Sequence, residues 1–219
     1  MQSVAFYTLG CKVNQYETQI LMEQFYQAGY HVVPCEEMAD VYVVNSCTVT
    51  ATSDKKTRQA LRRFKRQNPQ GVVVLTGCFP QAFAQQAQEI PEADVITGSY
   101  NRRSLLQAIE EFRTTGKRVV NITPHARGEA FEPMHAHSFQ EHTRAFVKIQ
   151  DGCERYCAYC IIPTARGPIR SKPLDQLKLE LLELVRAGYQ EVVLVGINLS
   201  CYGKDLGCHL LDAIALACT

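Results

Sequence analysis

Apolar residues follow two alternating rhythms over roughly the first 115 positions. Short apolar runs within 4–7, 40–45, 72–76 and 94–97 predict strands buried on both faces. Longer stretches of helical period lie between them. Residues 15–28 set Ile20, Leu21, Phe25 and Ala28 on one face and stop at Gly29. Residues 55–67 are helical and end before Asn68-Pro69, and 103–113 form a helix after the fourth strand. Alternation of buried strands with helices predicts an α/β domain over 1–115, an open parallel sheet of the flavodoxin-like kind with helices on both faces.

The rhythm then breaks. Residues 116–143 hold Gly116, Pro124, Gly128 and Pro133 with His125, His135, His137 and His142, and read as a linker. The His-x-His pair has a metal-binding reading, but solvated linker histidines are the commoner case. A second domain opens at 144: a strand at 145–149, a loop, and a helix at 174–187 with apolar positions 177, 181, 184 and 185. A strand at 191–195 follows, closed by Gly196-Ile197-Asn198, and a further helix starts over 210–218. This β-loop-α-β-loop-α order is the start of a parallel (β/α) barrel.

Composition narrows the class. The chain has 219 residues, 46% of them hydrophobic, which is enough for one large or two small domains and argues against disorder. A net charge of +1 gives no global case for a nucleic-acid partner, so any such case is local. The local candidate is the 55–67 helix, where Lys55, Lys56, Arg58, Arg62, Arg63, Lys65 and Arg66 crowd together with Asp54 the only acid nearby. Such a helix either tracks RNA phosphates or is a solvated face. No basic leader precedes the first strand, and no apolar run approaches the roughly 18–20 residues of a membrane span. A cytoplasmic protein without a membrane partner is expected. Ten cysteines in that setting point to metal or redox chemistry rather than cross-links.

Three of them lie within eight residues, in Cys153-Glu-Arg-Tyr-Cys157-Ala-Tyr-Cys160. Structural zinc wants four ligands, and the next cysteine, Cys201, is 41 residues on. Three thiolates in a tight run fit an iron–sulfur cluster with one corner left open. A second trio is dispersed: Cys11, Cys47 and Cys78 each follow a predicted strand, spaced by 36 and 31 residues. In an open parallel sheet the carboxyl ends of the strands share one edge, so these thiols converge there and form a second three-ligand set.

The motifs together resemble the methylthiotransferases, a branch of the radical SAM enzymes. The resemblance is carried by Thr8-Leu-Gly-Cys-Lys-Val-Asn-Gln-Tyr-Glu17, Asn45-Ser-Cys-Thr-Val-Thr50, Thr76-Gly-Cys78, Lys148-Ile-Gln-Asp-Gly-Cys153, Cys160-Ile-Ile-Pro163, Arg166-Gly167 and Arg170-Ser171. Their flavour is most like the branch acting on N6-threonylcarbamoyladenosine at position 37 of tRNA; other branches modify isopentenyladenosine or an aspartate of a ribosomal protein. A catalytically silent iron–sulfur or RNA-binding module is the reading of another class. The resemblance implies two [4Fe–4S] clusters, S-adenosylmethionine cleaved reductively to a 5′-deoxyadenosyl radical, sulfur carried at the dispersed trio, and tRNA as substrate. It also implies an electron donor such as flavodoxin or ferredoxin, and a monomer is expected. Tyr159 becomes a candidate contact for the adenine of S-adenosylmethionine, Gly196 and Asn198 for its methionine end, and Arg166 for cofactor or substrate. Cys35, Cys201, Cys208 and Cys218 fit no motif.

Length departs from the family. Only 59 residues follow Cys160, whereas a partial barrel of six units needs about 190 by scaling from roughly 250 for eight. The family's small RNA-binding β domain (TRAM) has no counterpart here. The chain therefore reads as the N-terminal part of a longer protein with a truncated radical SAM barrel, inactive and poorly soluble alone.

Overall fold

The computed structural model describes residues 2–133 and 144–218. These form two compact units, 1–124 and 125–219.

The first unit is a parallel sheet in the order β2-β1-β3-β4-β5-β6. Its strands are β1 (Ser3–Thr8), β2 (His31–Val32), β3 (Val41–Ser46), β4 (Val72–Gly77), β5 (Val95–Thr97) and β6 (Val119–Asn121). The helices are α1 (Lys12–Gln27), α2 (Ala51–Gln67), the short α3 (Cys78–Ala82) and α4 (Ala84–Gln88), and α5 (Leu105–Thr115). The period of two decides which face each strand residue covers. Val41, Val43, Val72 and Val74 meet Leu21 and Phe25 of α1 and Ile109 of α5. Tyr42, Val44, Val73 and Leu75 meet Leu61 and Phe64 of α2 and Phe79 of α3. Phe64 stacks on Tyr42 with ring centroids 4.6 Å apart, and its complete burial stabilises the α2 face by about 2–3 kcal/mol.

The four strands expected from the sequence are present, and the sheet has two more. Strand β2 is two residues long, and β6 lies inside the stretch read as linker, with only Val119 of its three residues buried. Neither is long enough to show a period; each is held by pairing with a distant neighbour. Helix α2 starts at Ala51 rather than 55 because the Thr50 hydroxyl accepts the Ser53 N–H at 3.2 Å, a cap worth about 1 kcal/mol.

The second unit holds β7 (Ala145–Asp151), α6 (Ile162–Arg166), β8 (Arg170–Ser171), α7 (Leu174–Arg186), β9 (Val192–Gly196) and α8 (Leu210–Ala217). Strands β7 and β9 are parallel, and β8 runs antiparallel on the other side of β7. The stretch read as linker is built into this unit as well. Phe131 is buried, with the Lys148 and Lys172 ammonium groups each 5.4 Å from its ring centroid. His135, His137 and His142 fall outside the described residues. On α7, Leu177, Leu181 and Leu184 are buried as predicted, but Val185 points out and is 64% exposed. Leu179 and Leu182 of α7, and Leu211 and Ile214 of α8, are also exposed.

Candidate metal centres

In the first unit the three cysteines leave adjacent strands. Cys47 directly follows Ser46 at the end of β3, and Cys78 directly follows Gly77 at the end of β4; Ser46 and Gly77 are register partners. Cys11 follows the loop from β1, the other neighbour of β3, and is the N-cap of α1. The strand order reverses between β1 and β3, and a crevice at such a switch point is where open α/β sheets bind ligands. The loop carrying Cys11 runs close over Cys47. A Cβ on Gly10 would lie 2.8 Å from Cys47 Cβ and 3.1 Å from its Sγ, and Gly10 has φ +112°. Only glycine permits that approach.

A polar layer beneath the thiols fixes these strand ends. Buried Asn14 donates to the carbonyls of Leu9 and Ser46, and Asn45 donates to the Asn14 carbonyl and to Thr18 Oγ1, all within 2.9–3.1 Å. The Ser46 hydroxyl donates to the Thr76 carbonyl at 2.6 Å. Glu17 and Arg102 form an enclosed ion pair at 2.8 Å, tying α1 to the turn after β5. Cys11 is exposed while Cys47 and Cys78 are buried.

In the second unit Cys153, Cys157 and Cys160 occupy the loop from β7 to α6. Gly152 (φ +72°) opens it so tightly that a Cβ would strike the Pro168 carbonyl oxygen at 1.7 Å. The Cys153 N–H donates to the Gly167 carbonyl at 3.1 Å and the Cys160 N–H to the Cys157 carbonyl at 2.9 Å. Tyr156, between the first two cysteines, is left-handed at φ +46°, a conformation costing a non-glycine residue about 1–2 kcal/mol. Cys157 is exposed, and Cys153 and Cys160 are half-buried.

Below this loop lies a buried charge cluster. The Asp151 carboxylate meets Lys148 Nζ at 2.7 Å and the guanidinium groups of Arg166 and Arg170 at 3.5 Å each. Burial alone would push its carboxyl up, but the three cations overcome burial and hold it well below the usual carboxylate range. Arg170 also meets Glu129 at 2.7 Å, and Glu129 meets His125 Nδ1 at 3.0 Å. Lys172 pairs with Glu180; burial pushes its ammonium down, and the Glu180 carboxylate opposes that.

The remaining predicted residues separate. Tyr159 is 94% exposed, so it is not a packing residue among the described ones. Gly196 ends β9, where a Cβ would meet Leu199 Cδ2 at 2.8 Å and Gln150 Cβ at 3.0 Å. Asn198 lies against the cluster loop, its Nδ2 3.6 Å from Cys153 Sγ. Arg166 has no exposed surface and faces Asp151. The basic helix also differs from its sequence reading. Asp54 is not the only acid nearby, because folding brings Glu92 to Arg62 (3.3 Å) and Asp94 to Lys65 (2.8 Å). Arg58 covers Phe79 and Arg63 covers Tyr7 and Phe64. Lys55, Lys56, Arg62, Arg63 and Arg66 remain exposed, and a groove lined by Gln59, Arg62, Arg63, Lys65, Arg66 and Glu92 runs along the helix.

Among the described residues no three His, Cys, Asp or Glu side chains close around a single metal ion. A four-iron cluster holds its ligands further apart than one ion does. Each trio fits such a cluster by donor chemistry, three thiols with one iron corner left over. Sequence reasoning missed Gln150, Ser200 and the Asp151 cluster, because their partners are distant in the chain.

Two family models match separate stretches of the chain. The model described as uncharacterized protein family UPF0004 matches residues 3–98, and that of the radical SAM superfamily matches residues 147–210. The first match falls in the first unit and the second match in the second unit. The dispersed trio lies wholly within the UPF0004 match, and the loop trio, Gly196 and Asn198 lie within the radical SAM match. The threonylcarbamoyladenosine tRNA methylthiotransferase MtaB of Bacillus subtilis is 43% identical over 206 residues, covering 94% of this chain and 46% of the relative. Its namesake in Aquifex aeolicus is 41% identical over 212 residues, covering 94% and 50%. The chain thus spans about half the length of the curated relatives it matches. The radical S-adenosylmethionine methyltransferase TsrM of Kitasatospora setae, solved with cobalamin and a [4Fe-4S] cluster, shares the fold at TM-score 0.59 and 14% identity, over 98% of this chain and 51% of that one.

Proposed function

We propose that this chain is part of a tRNA methylthiotransferase that modifies N6-threonylcarbamoyladenosine at position 37, with one [4Fe–4S] cluster on Cys153, Cys157 and Cys160 and another on Cys11, Cys47 and Cys78. The observation that carries the reading is the pair of cysteine trios, each at the carboxyl end of parallel strands and each one thiolate short of closing a cluster. The 43% identity to a relative named for this reaction supports the branch.

The loop trio would hold a cluster able to relay one electron from an external donor to S-adenosylmethionine, and the dispersed trio would hold a cluster with an open iron for the sulfur that is transferred. The protein's own groups bind and orient. Tyr159 offers a free aromatic face to the adenine of S-adenosylmethionine. Gly196 stands at the end of β9, the strand end at which parallel barrels bind their ligands, and its missing side chain leaves room for Leu199 and Gln150. The polar layer under Cys47 holds the strand ends in one geometry before any ligand arrives. The exposed Lys55, Lys56, Arg62, Arg63 and Arg66 give RNA phosphates a track along α2. An electron donor of the flavodoxin or ferredoxin kind completes the set, and the site is cytoplasmic with tRNA.

Nucleoside mass spectrometry of tRNA from cells lacking the gene tests the substrate. Loss of methylthio-threonylcarbamoyladenosine is the expected result. An unchanged profile of that nucleoside, or loss of a methylthiolated isopentenyladenosine instead, rejects the branch.

A further inference from the structure

Gln150 is wholly buried and joins two loops. Its Nε2 donates to the carbonyls of Asp151 and Gly152, both at 2.7 Å, immediately before Cys153. Its Oε1 accepts the backbone N–H of Asn198 at 2.6 Å, beyond the end of β9. The partners dictate this orientation: two carbonyls need a donor, and an N–H needs an acceptor. Gly196 is part of the same fit, since a Cβ there would stand 3.1 Å from Gln150 Oε1.

The Asn198 amide is oriented by the same reasoning. A guanidinium only donates, so the Arg155 contact at 3.2 Å makes the Ser200 oxygen an acceptor. The Ser200 hydroxyl hydrogen then goes to Asn198 Oδ1, at 2.8 Å. That leaves the Asn198 Nδ2 facing Cys153 Sγ at 3.6 Å, within reach of an N–H···S hydrogen bond. Arg155 itself lies between the first two cysteines of the trio. Backbone, amide and hydroxyl thus combine to aim one N–H at one ligand sulfur.

We infer that Asn198, held by Gln150 and Ser200, is a positioning residue that donates to the Cys153 sulfur and raises the reduction potential of the cluster on this loop. The inference rests on the loop trio holding a cluster. Reduction adds negative charge that spreads onto the ligand sulfurs, and a donor stabilises the more negative state. The contact requires no second thiol and no change in the number of irons.

The test is potentiometric titration, followed by electron paramagnetic resonance, of the anaerobically reconstituted full-length protein. Asn198→Leu removes the donor at similar size. Asn198→Asp replaces the N–H with a carboxylate oxygen. Ser200→Ala leaves Asn198 in place and frees its amide to turn. The expected midpoints fall in the order wild type, Ser200→Ala, Asn198→Leu, Asn198→Asp, with iron content unchanged. The midpoint of the cluster on Cys11, Cys47 and Cys78 should not move and serves as the internal reference. A loop-cluster midpoint in Asn198→Leu equal to wild type overturns the inference, and so does loss of iron from Ser200→Ala, which would show mere scaffolding. Wild-type protein that takes up no iron at the loop trio overturns the underlying reading too, and is distinguished by its missing signal.

Discussion

Replacing Asp151 with asparagine should loosen the whole base of the Cys153 loop. Asparagine keeps the shape and can still accept the Gly152 N–H, which Asp151 Oδ1 takes at 2.8 Å. It removes a carboxylate that Lys148 meets at 2.7 Å, Arg166 at 3.5 Å and Arg170 at 3.5 Å. Arg170 retains Glu129, but the buried cations lose their shared counter-charge. Removing one partner of a buried ion pair costs about 3–5 kcal/mol, because the other charge stays out of water. At about 1.4 kcal/mol per tenfold, opening of this region rises by roughly two to three and a half powers of ten. Hydrogen–deuterium exchange of peptides over 145–153 in the full-length protein measures it, with peptides over β3 and β4 expected to be unaffected. Acid supplies a second readout. The Asp151 carboxyl lies well below its unfolded value of about 3.9. Its contribution is therefore complete above about pH 4 and is lost as pH falls through the folded value. The gap between wild type and variant should be constant from about pH 5 to 8 and close below about pH 4. Exchange over 145–153 within threefold of wild type at neutral pH would refute the reasoning.

Three further outcomes follow from geometry already given. Gly77→Ala drives a Cβ to 2.5 Å from the Ser46 carbonyl oxygen at φ +98°, and should cost at least about 2 kcal/mol in urea unfolding of the first unit. Replacing Cys153 by alanine should lower bound iron from about eight to about four per chain, and replacing Cys47 should do the same; iron analysis of the two singles and the double separates independent clusters from a shared one. Arg62→Glu with Arg66→Glu should weaken tRNA binding in filter or fluorescence titrations and reduce the salt slope by about two, whereas Lys65→Gln should chiefly destabilise the chain by releasing Asp94.

The parts visible in the sequence were those encoded locally. Short apolar runs within 40–45 and 72–76 marked the strands β3 and β4, and helical spacing marked α1, α2 and α7. The strand-end cysteines could be placed because a parallel sheet brings all its carboxyl ends to one edge. Pairings across long stretches of chain left no local mark. Glu92 and Asp94 reach α2 only after β4 and β5 pair, so the helix read as more cationic than it is. Phe131 and Glu129 carry no period, yet they pack into the second unit. Asn198 was found by position at a strand end; its sulfur partner emerged only once Gln150 had joined the two loops.

The two cysteine trios differ in when they can exist. Cys153, Cys157 and Cys160 share eight residues of chain and can begin to gather iron before the protein around them is finished. Cys11, Cys47 and Cys78 follow three separate strands of one sheet, and no unfolded chain brings them together at small entropic cost. If both trios hold clusters as proposed, iron at the first reports that metal was available, and iron at the second reports that the sheet has folded. A mutation that weakens the sheet core, such as Val43→Ala, should therefore uncouple them, delivering a protein that carries one cluster and is blind at the other.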